Sequence, residues 1–208
     1  MPNQQPGGIV PGGIVPASFV PGVIVLCGGR SNRLGGVDKT RESLAGTTVM
    51  DHLLDRLLSG WAVVCVGEKR ATTRSVGWCR ESPAGGGPVA GIAAGLDFLG
   101  RLDAEICVVV GGDMPFAAPA LPTLVDALNA QPGFDAVLAA DPDGRQQPLL
   151  AAYRCEALRA AIPCEPGGAR LMAVVDALVT QTVACEAQIT LDVDTPEALE
   201  TARHIVGA

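Results

Sequence analysis

Positions 26–39 read Leu26-Cys27-Gly28-Gly29-Arg30-Ser31-Asn32-Arg33-Leu34-Gly35-Gly36-Val37-Asp38-Lys39, a run dense in glycine and in cationic side chains. Glycines let backbone N–H groups approach phosphate oxygens without obstruction. Arg30, Arg33 and Lys39 supply charge that suits a polyphosphate. Lysine is scarce in this chain, with only Lys39 and Lys69, so a lysine inside the glycine run is suggestive. The spacing fits neither GxxxxGK[ST] nor GxGxxG, which disfavours a Walker loop and a dinucleotide loop. The chemistry it suits is the cradling of a nucleoside triphosphate. The plainer alternative is an ordinary glycine-rich turn between a strand and a helix.

A second candidate is Asp113, in Gly111-Gly112-Asp113-Met114-Pro115. A carboxylate at a strand end can hold Mg²⁺, which prefers a few carboxylates plus phosphate oxygens. Otherwise it is a solvated aspartate. Asp194, just ahead of Pro196, is either a second metal-side ligand or a helix N-cap, and Asp192 is a weaker candidate. His52 and His204 fall in expected helices away from these segments and read as structural or solvent-facing. The seven cysteines show no CxxC spacing; they read as small buried hydrophobes and free thiols, and so as a sign of a reducing cytoplasm.

These residues need elements to position them. Val23-Ile24-Val25-Leu26 is a short apolar run, as in a strand buried on both faces. Thr48 to Leu58 reads as a helix with Thr47 or Thr48 as N-cap. Strands are expected at 62–66, 106–110, 136–140 and 149–153. Helices are expected at 87–99, entered from a loop, and at 121–130, 155–161, 169–178 and 196–206, with Pro196 in the first turn of the last. Strands alternating with helices predict an α/β fold: three layers, doubly wound, around a mostly parallel sheet. Ligands in such sheets bind beyond the carboxyl ends of the strands. The glycine run and Asp113 each follow a strand, so both land on that edge.

Composition narrows the classes. The chain has 208 residues, enough for one domain with a full core, here expected over 22–208. Residues 1–21 repeat Pro-Gly-Gly-Ile-Val and are expected to form a flexible low-complexity tail. A net charge of −7 argues against nucleic-acid partners, which need a basic surface. No apolar run has the length of a membrane span, and the N-terminal segment has no basic leader, so no membrane partner is expected and the expected location is cytoplasmic.

The motifs also carry a resemblance. Leu26 to Lys39 is similar to the signature of the molybdenum-cofactor guanylyltransferase family: LAGG, a short variable stretch, R-M-G and D-K. Further segments resemble the family in the same order: Gly87-Pro88-Val89-Ala90-Gly91 (GPLAG), Gly112-Asp113-Met114-Pro115 (C-D-x-P), Gln147-Pro148-Leu149 (QPL) and Asp192-Val193-Asp194-Thr195-Pro196-Glu197 (N-V-N-T-P-E). Together they run from about Val23 to Leu199.

The resemblance implies the nucleotidyltransferase variant of a Rossmann-like sheet. It implies transfer of GMP from GTP to the phosphate of molybdopterin or its molybdenum form, with release of pyrophosphate. Lys39, Arg33 and Asp113 would be catalytic. Leu26, Cys27, Gly28, Gly29, Arg30, Lys39, Glu81, Gly87 and Asp113 would bind nucleotide. Asp113 and Asp194 would hold Mg²⁺. Arg145 would face the acceptor or the solvent. Molybdoenzyme maturation proteins are implied as further partners. Alternatives are CTP in place of GTP, a sugar-phosphate acceptor, or a nucleotide-binding module without turnover. The chain departs from the family at Cys27, at Thr40-Arg41-Glu42, and at Asp192 and Asp194, where asparagines are common; the last pair adds negative charge where a phosphorylated acceptor would lie.

Overall fold

In the run Gly22–Leu26, apolar side chains alternate between two faces that are both covered, and this forms the central strand β1. The computed structural model describes residues 20–28 and 38–207. The tail expected over 1–21 therefore lies almost wholly outside the described residues. The other main strands are β4 (Ala62–Val66), β5 (Gly77–Cys79), β6 (Ile106–Gly111), β7 (Ala136–Ala140), β8 (Gln146–Arg154) and β9 (Thr180–Ala184). They form one seven-stranded sheet in the order β5-β4-β1-β6-β8-β7-β9. β8 runs antiparallel to both its neighbours, and the remaining pairings are parallel.

Helices cover both faces. Val23, Val25, Cys65, Val108 and Val110 point to one side and pack under α1 (Val49–Leu54) and α3 (Ala120–Ala130). Ile24, Val64, Val66, Cys107 and Val109 point to the other, under α2 (Pro88–Leu99), α4 (Cys155–Ala161) and α5 (Leu171–Val175). A third cluster joins α6 (Pro196–Gly207) to the hairpin of β2 (Ser43–Leu44) and β3 (Thr47–Thr48), through Leu44, Val49, Phe116, Val193, Leu199 and Ala202. Among the described residues no helix is long and apolar enough to cross a membrane.

The expected three-layer, mostly parallel architecture is thus present, with differences of detail. The helix expected over 48–58 ends at Leu54, because Arg56 and Leu57 close i→i+3 bonds onto Leu53 and Leu54 instead of continuing the α ladder. The helix expected over 169–178 contracts to Leu171–Val175, with the same tighter bonding at Ala177 and Leu178. The short strand β5 and the half-polar β9 gave no apolar run to read. The β2–β3 hairpin turns through Ala45 (φ 50°) and Gly46 (φ 81°), the positive-φ pair that a tight two-residue hairpin requires. β8 is longer than expected and shifts register against β7 between Leu138 and Ala139. Pro148 lies in that stretch and has no N–H for the ladder; the buried Tyr153 hydroxyl donates to its carbonyl at 2.8 Å.

Candidate functional site

The sheet order reverses beside β1. From β1 the chain moves outward to β4 and β5, then returns to place β6 on the other side of β1. Loops leaving two strands at such a point diverge and leave a crevice at their carboxyl ends. The loops here begin at Cys27-Gly28 and at Gly112-Asp113, which follow β1 and β6.

The crevice floor is stitched by main-chain bonds. Cys27 N–H donates to Val66 O at 2.9 Å, Gly112 N–H to Leu26 O at 2.9 Å, and Gly67 N–H to Cys79 O at 3.0 Å. Two glycines are demanded by this closeness. A Cβ on Gly112 would lie 3.1 Å from Leu26 O, and one on Gly67, at φ +150°, would lie 3.3 Å from the Cys27 carbonyl carbon. Cys27 turns its thiol into the core, 3.2 Å from Met50 Sδ; the neighbouring Cys65 thiol, together with burial, pushes its ionisation well up. Leu26 packs against the first turns of α2, where a Cβ on Gly91 would meet its Cδ2 at 3.2 Å. Gly28 is exposed at the loop's start.

Lys39 sits on a short 3-10 turn, Lys39–Arg41, whose first turn is capped by Asp38. The Asp38 carboxylate accepts from Thr40 N–H at 3.1 Å, from the Thr40 hydroxyl at 2.6 Å and from Arg41 Nε at 3.1 Å. Arg70, from the loop after β4, closes the network. It donates to Asp38 Oδ2 at 2.8 Å and to Thr40 Oγ1 at 2.5 Å, with its guanidinium largely buried. Burial raises the Asp38 carboxyl, but the Thr40 hydrogen bonds and the Arg70 charge outweigh it and hold the group below the usual carboxylate range.

The turn delivers the Lys39 ammonium onto the Asp113 carboxylate, with which it forms an ion pair. Asp113 is set by the turn in which Met114 N–H donates to Gly111 O at 3.1 Å. Its own carbonyl accepts from Val193 N–H at 2.8 Å. Val193 is fully buried, and its bond ties the segment carrying Asp192 and Asp194, on either side of it, to the Asp113 loop. Asp192 is solvent-accessible, yet its carboxyl is pushed up by partial desolvation and by the negative charges of Asp194 and Asp113; Lys39 opposes the shift.

Glu81 and Gly87 lie on the segment between β5 and α2. Glu81 accepts from Gly85 N–H at 2.8 Å and so shapes the loop entering α2. Gly87, at φ 87°, is the N-cap of α2, with Pro88 in the first turn and no side-chain cap bond on the helix amides. A recess of about 330 Å³ opens nearby, lined by Gly67, Glu68, Lys69, Trp78, Cys79 and Arg80. Arg145 is exposed on the β7–β8 turn at the same edge.

The structure thus brings Leu26, Cys27, Gly28, Lys39, Asp113 and Asp194 to one crevice, with Glu81 and Gly87 on the loop that enters the adjoining α2. Gly29, Arg30 and Arg33 lie outside the described residues. His52 is buried edge-on to Phe116, with ring centroids 5.3 Å apart, and His204 is exposed on α6; neither belongs to the crevice. Sequence reasoning missed Arg70. Its partner Asp38 is 32 positions away, and nothing local in Gly67-Glu68-Lys69-Arg70 signals the pairing.

Comparison with known proteins gives the same picture. A family model described as the MobA-like NTP transferase domain matches residues 23–183. A molybdenum cofactor guanylyltransferase of Rhodopseudomonas palustris is 30% identical over 139 residues, 64% of this chain and 66% of that protein, just under two thirds of its length. A probable molybdenum cofactor guanylyltransferase of Natronomonas pharaonis is 30% identical over 199 residues, 87% of this chain and 96% of that protein. Among solved structures, the molybdopterin-guanine dinucleotide biosynthesis protein A of Archaeoglobus fulgidus superposes with a TM-score of 0.69 at 23% identity, covering 89% of this chain and 98% of that one. This last likeness speaks to the fold.

Proposed function

The chain belongs to the MobA-like NTP transferase family, and on that premise we propose that it transfers GMP from GTP to the phosphate of molybdopterin or its molybdenum form, releasing pyrophosphate. The observation that carries this reading is the meeting of Lys39 and Asp113 at the point where the sheet reverses. A cation for the phosphates and a hard oxygen ligand stand together where such sheets bind ligands.

In this reading the triphosphate lies along the loop from Gly28 to Lys39, with Arg30 and Arg33 as further cations. Lys39 offsets charge on the phosphates as the α-phosphorus is attacked. Leu26, Cys27 and Glu81 flank the nucleoside, and Gly87 opens the amide end of α2 toward it. The donor set suits Mg²⁺, which takes one or two carboxylates and fills its shell with water and phosphate oxygens. Among the described residues no group of three or more His, Cys, Asp or Glu side chains could hold a metal ion. Asp113 and Asp194 would therefore share it with the substrate. When bound, the ion would supply Lewis-acid charge to the phosphate oxygens.

The attacking group is a phosphate oxygen, anionic at neutral pH, so no general base is needed. That suits a crevice to which neither histidine belongs. Catalysis then rests on positioning and electrostatics. The same reading puts the reaction in a reducing cytoplasm, in line with the seven cysteines, all free thiols.

Pyrophosphate release, measured with Mg²⁺ and GTP or CTP, each with and without molybdopterin, tests the proposal. Release is expected only with GTP and molybdopterin together. Preference for CTP would overturn the base assignment. Tight GTP binding without release would leave a binding module, not an enzyme.

A further inference from the structure

The same carboxylate is asked to do two things. Asp113 is the expected metal ligand, and its Oδ2 carries the Lys39 ammonium in an ion pair. Both side chains are mostly shielded, at 22% and 17% exposure. A carboxylate whose Oδ2 is in contact with an ammonium holds a hydrated divalent cation less well, since the two positive centres repel at close range. The base of Lys39 is fixed: Asp38, Thr40 and Arg70 pin its turn. A lysine's four-carbon stem has rotatable bonds throughout, and can carry the ammonium a few ångströms to another anion.

We propose that Lys39 is an internal counter-ion of the metal site, holding Asp113 against a free divalent cation until a triphosphate draws the ammonium away. This rests on the nucleotidyl-transfer reading, and it concerns how the site is controlled. A triphosphate offers Lys39 anionic oxygens and so frees Asp113 as the metal arrives. Metal and triphosphate then bind as one unit, with positive coupling that is reciprocal by linkage. The chain is spared a dication bound to Asp113 without substrate, beside the negative charges of Asp192 and Asp194.

The sign of this effect is unusual, and it makes the test sharp. A lysine whose ammonium stands clear of Asp113 has only a weak, salt-screened influence on metal binding in the absence of nucleotide. A counter-ion weakens it. Mn²⁺ binding to the full chain without nucleotide, read from the electron paramagnetic resonance of free Mn²⁺, is compared for wild type, K39M and K39M/D113N. Folding of each is checked by its thermal transition. The K39M chain is expected to bind Mn²⁺ about tenfold more tightly than wild type. The double variant is expected to lose that gain. Equal or weaker binding by K39M, or no binding by either protein, overturns the inference. A double variant that binds as well as K39M removes Asp113 as a ligand, and with it the metal assignment of the proposed function. None of these arms uses a nucleotide, so an error in the choice of base leaves the result interpretable.

Discussion

The two ends of the central sheet differ in a way that volume alone would misjudge. At the amino ends of the parallel strands lies the larger hollow, about 910 Å³, lined in part by Asp103, Glu105, Asp135, Arg154, Cys155 and Arg159. Its cations are occupied with the fold itself. Arg154 donates to the carbonyls of Phe134 at 2.9 Å, Leu128 at 3.0 Å and Gln131 at 3.5 Å, closing the end of α3. Arg159 pairs with Asp97 at 2.6 Å on the surface. At the carboxyl ends the recess is only about 330 Å³, but the charges there do something else. Lys39 and Asp113 are held by turns whose bonds come from Arg70, Asp38 and Val193, and their heads pair with each other at the crevice instead of bracing main-chain carbonyls. A site is marked by charge that other residues hold in place, and a structural hollow by charge that is itself the brace.

Substitutions at the two ends can break that contrast. The largest effect is expected from D113A. Turnover should fall by about 10²–10³-fold or more, while the fold is kept, because the bond from Val193 uses the main chain of Asp113. Near-normal kcat would remove Asp113 from the chemistry.

R70M is expected to lower kcat/KM by about 10²-fold through misplacement of Lys39, with R70K recovering part of it. It also predicts a change on the acid side. The Asp38 carboxyl in the folded chain lies below its unfolded value, so its ionised form stabilises the turn above the usual carboxylate range. That contribution fades as pH falls through the folded value. Without Arg70 the contribution is smaller, so R70M should lose less stability than wild type on acidification from about pH 6 to about pH 3. Chemical denaturation at a series of pH values reads this directly, and an equal loss in both proteins contradicts it.

The amino end should behave in the opposite way. R154M orphans the carbonyls at the end of α3 and should cost about 1–3 kcal/mol of stability. Its kcat and KM, measured below its unfolding temperature, should match wild type. A specific loss of kcat there would erase the distinction between the two ends. The smallest effect belongs to R159Q. Its ion pair is at least half exposed on both sides, so a change within about 0.5 kcal/mol and no kinetic effect are expected.

Much of this was legible in the sequence because it is local. The apolar run before the glycine loop, Pro88 and Pro196 at helix starts, and Asp113 just beyond a strand each signal through neighbours in the chain. What was not legible depends on register and on long-range pairing. β5 and β9 lacked apolar runs long enough to read, and Pro148 gave no hint that β8 begins ahead of it. Thr48 was recognisable as a cap, but the tightening after Leu54 was not, since Leu57 and Leu58 continue the apolar pattern while the backbone leaves the helix. Arg70 and Asp38 meet across 32 positions of chain, a pairing that no local pattern announces. Asp192 and Asp194 flank Val193, whose main-chain bond to Asp113 ties the two loops together, and no spacing in the sequence encodes it.

The central claim is that this crevice moves a nucleotide from GTP to a pterin phosphate. Incubating the full chain with α-labelled GTP, Mg²⁺ and molybdopterin, then separating the products, tests it most directly. The account predicts label in a molybdopterin dinucleotide, with unlabelled pyrophosphate formed in equal amount. Label recovered only as GTP or free GMP, with molybdopterin unchanged, would contradict it.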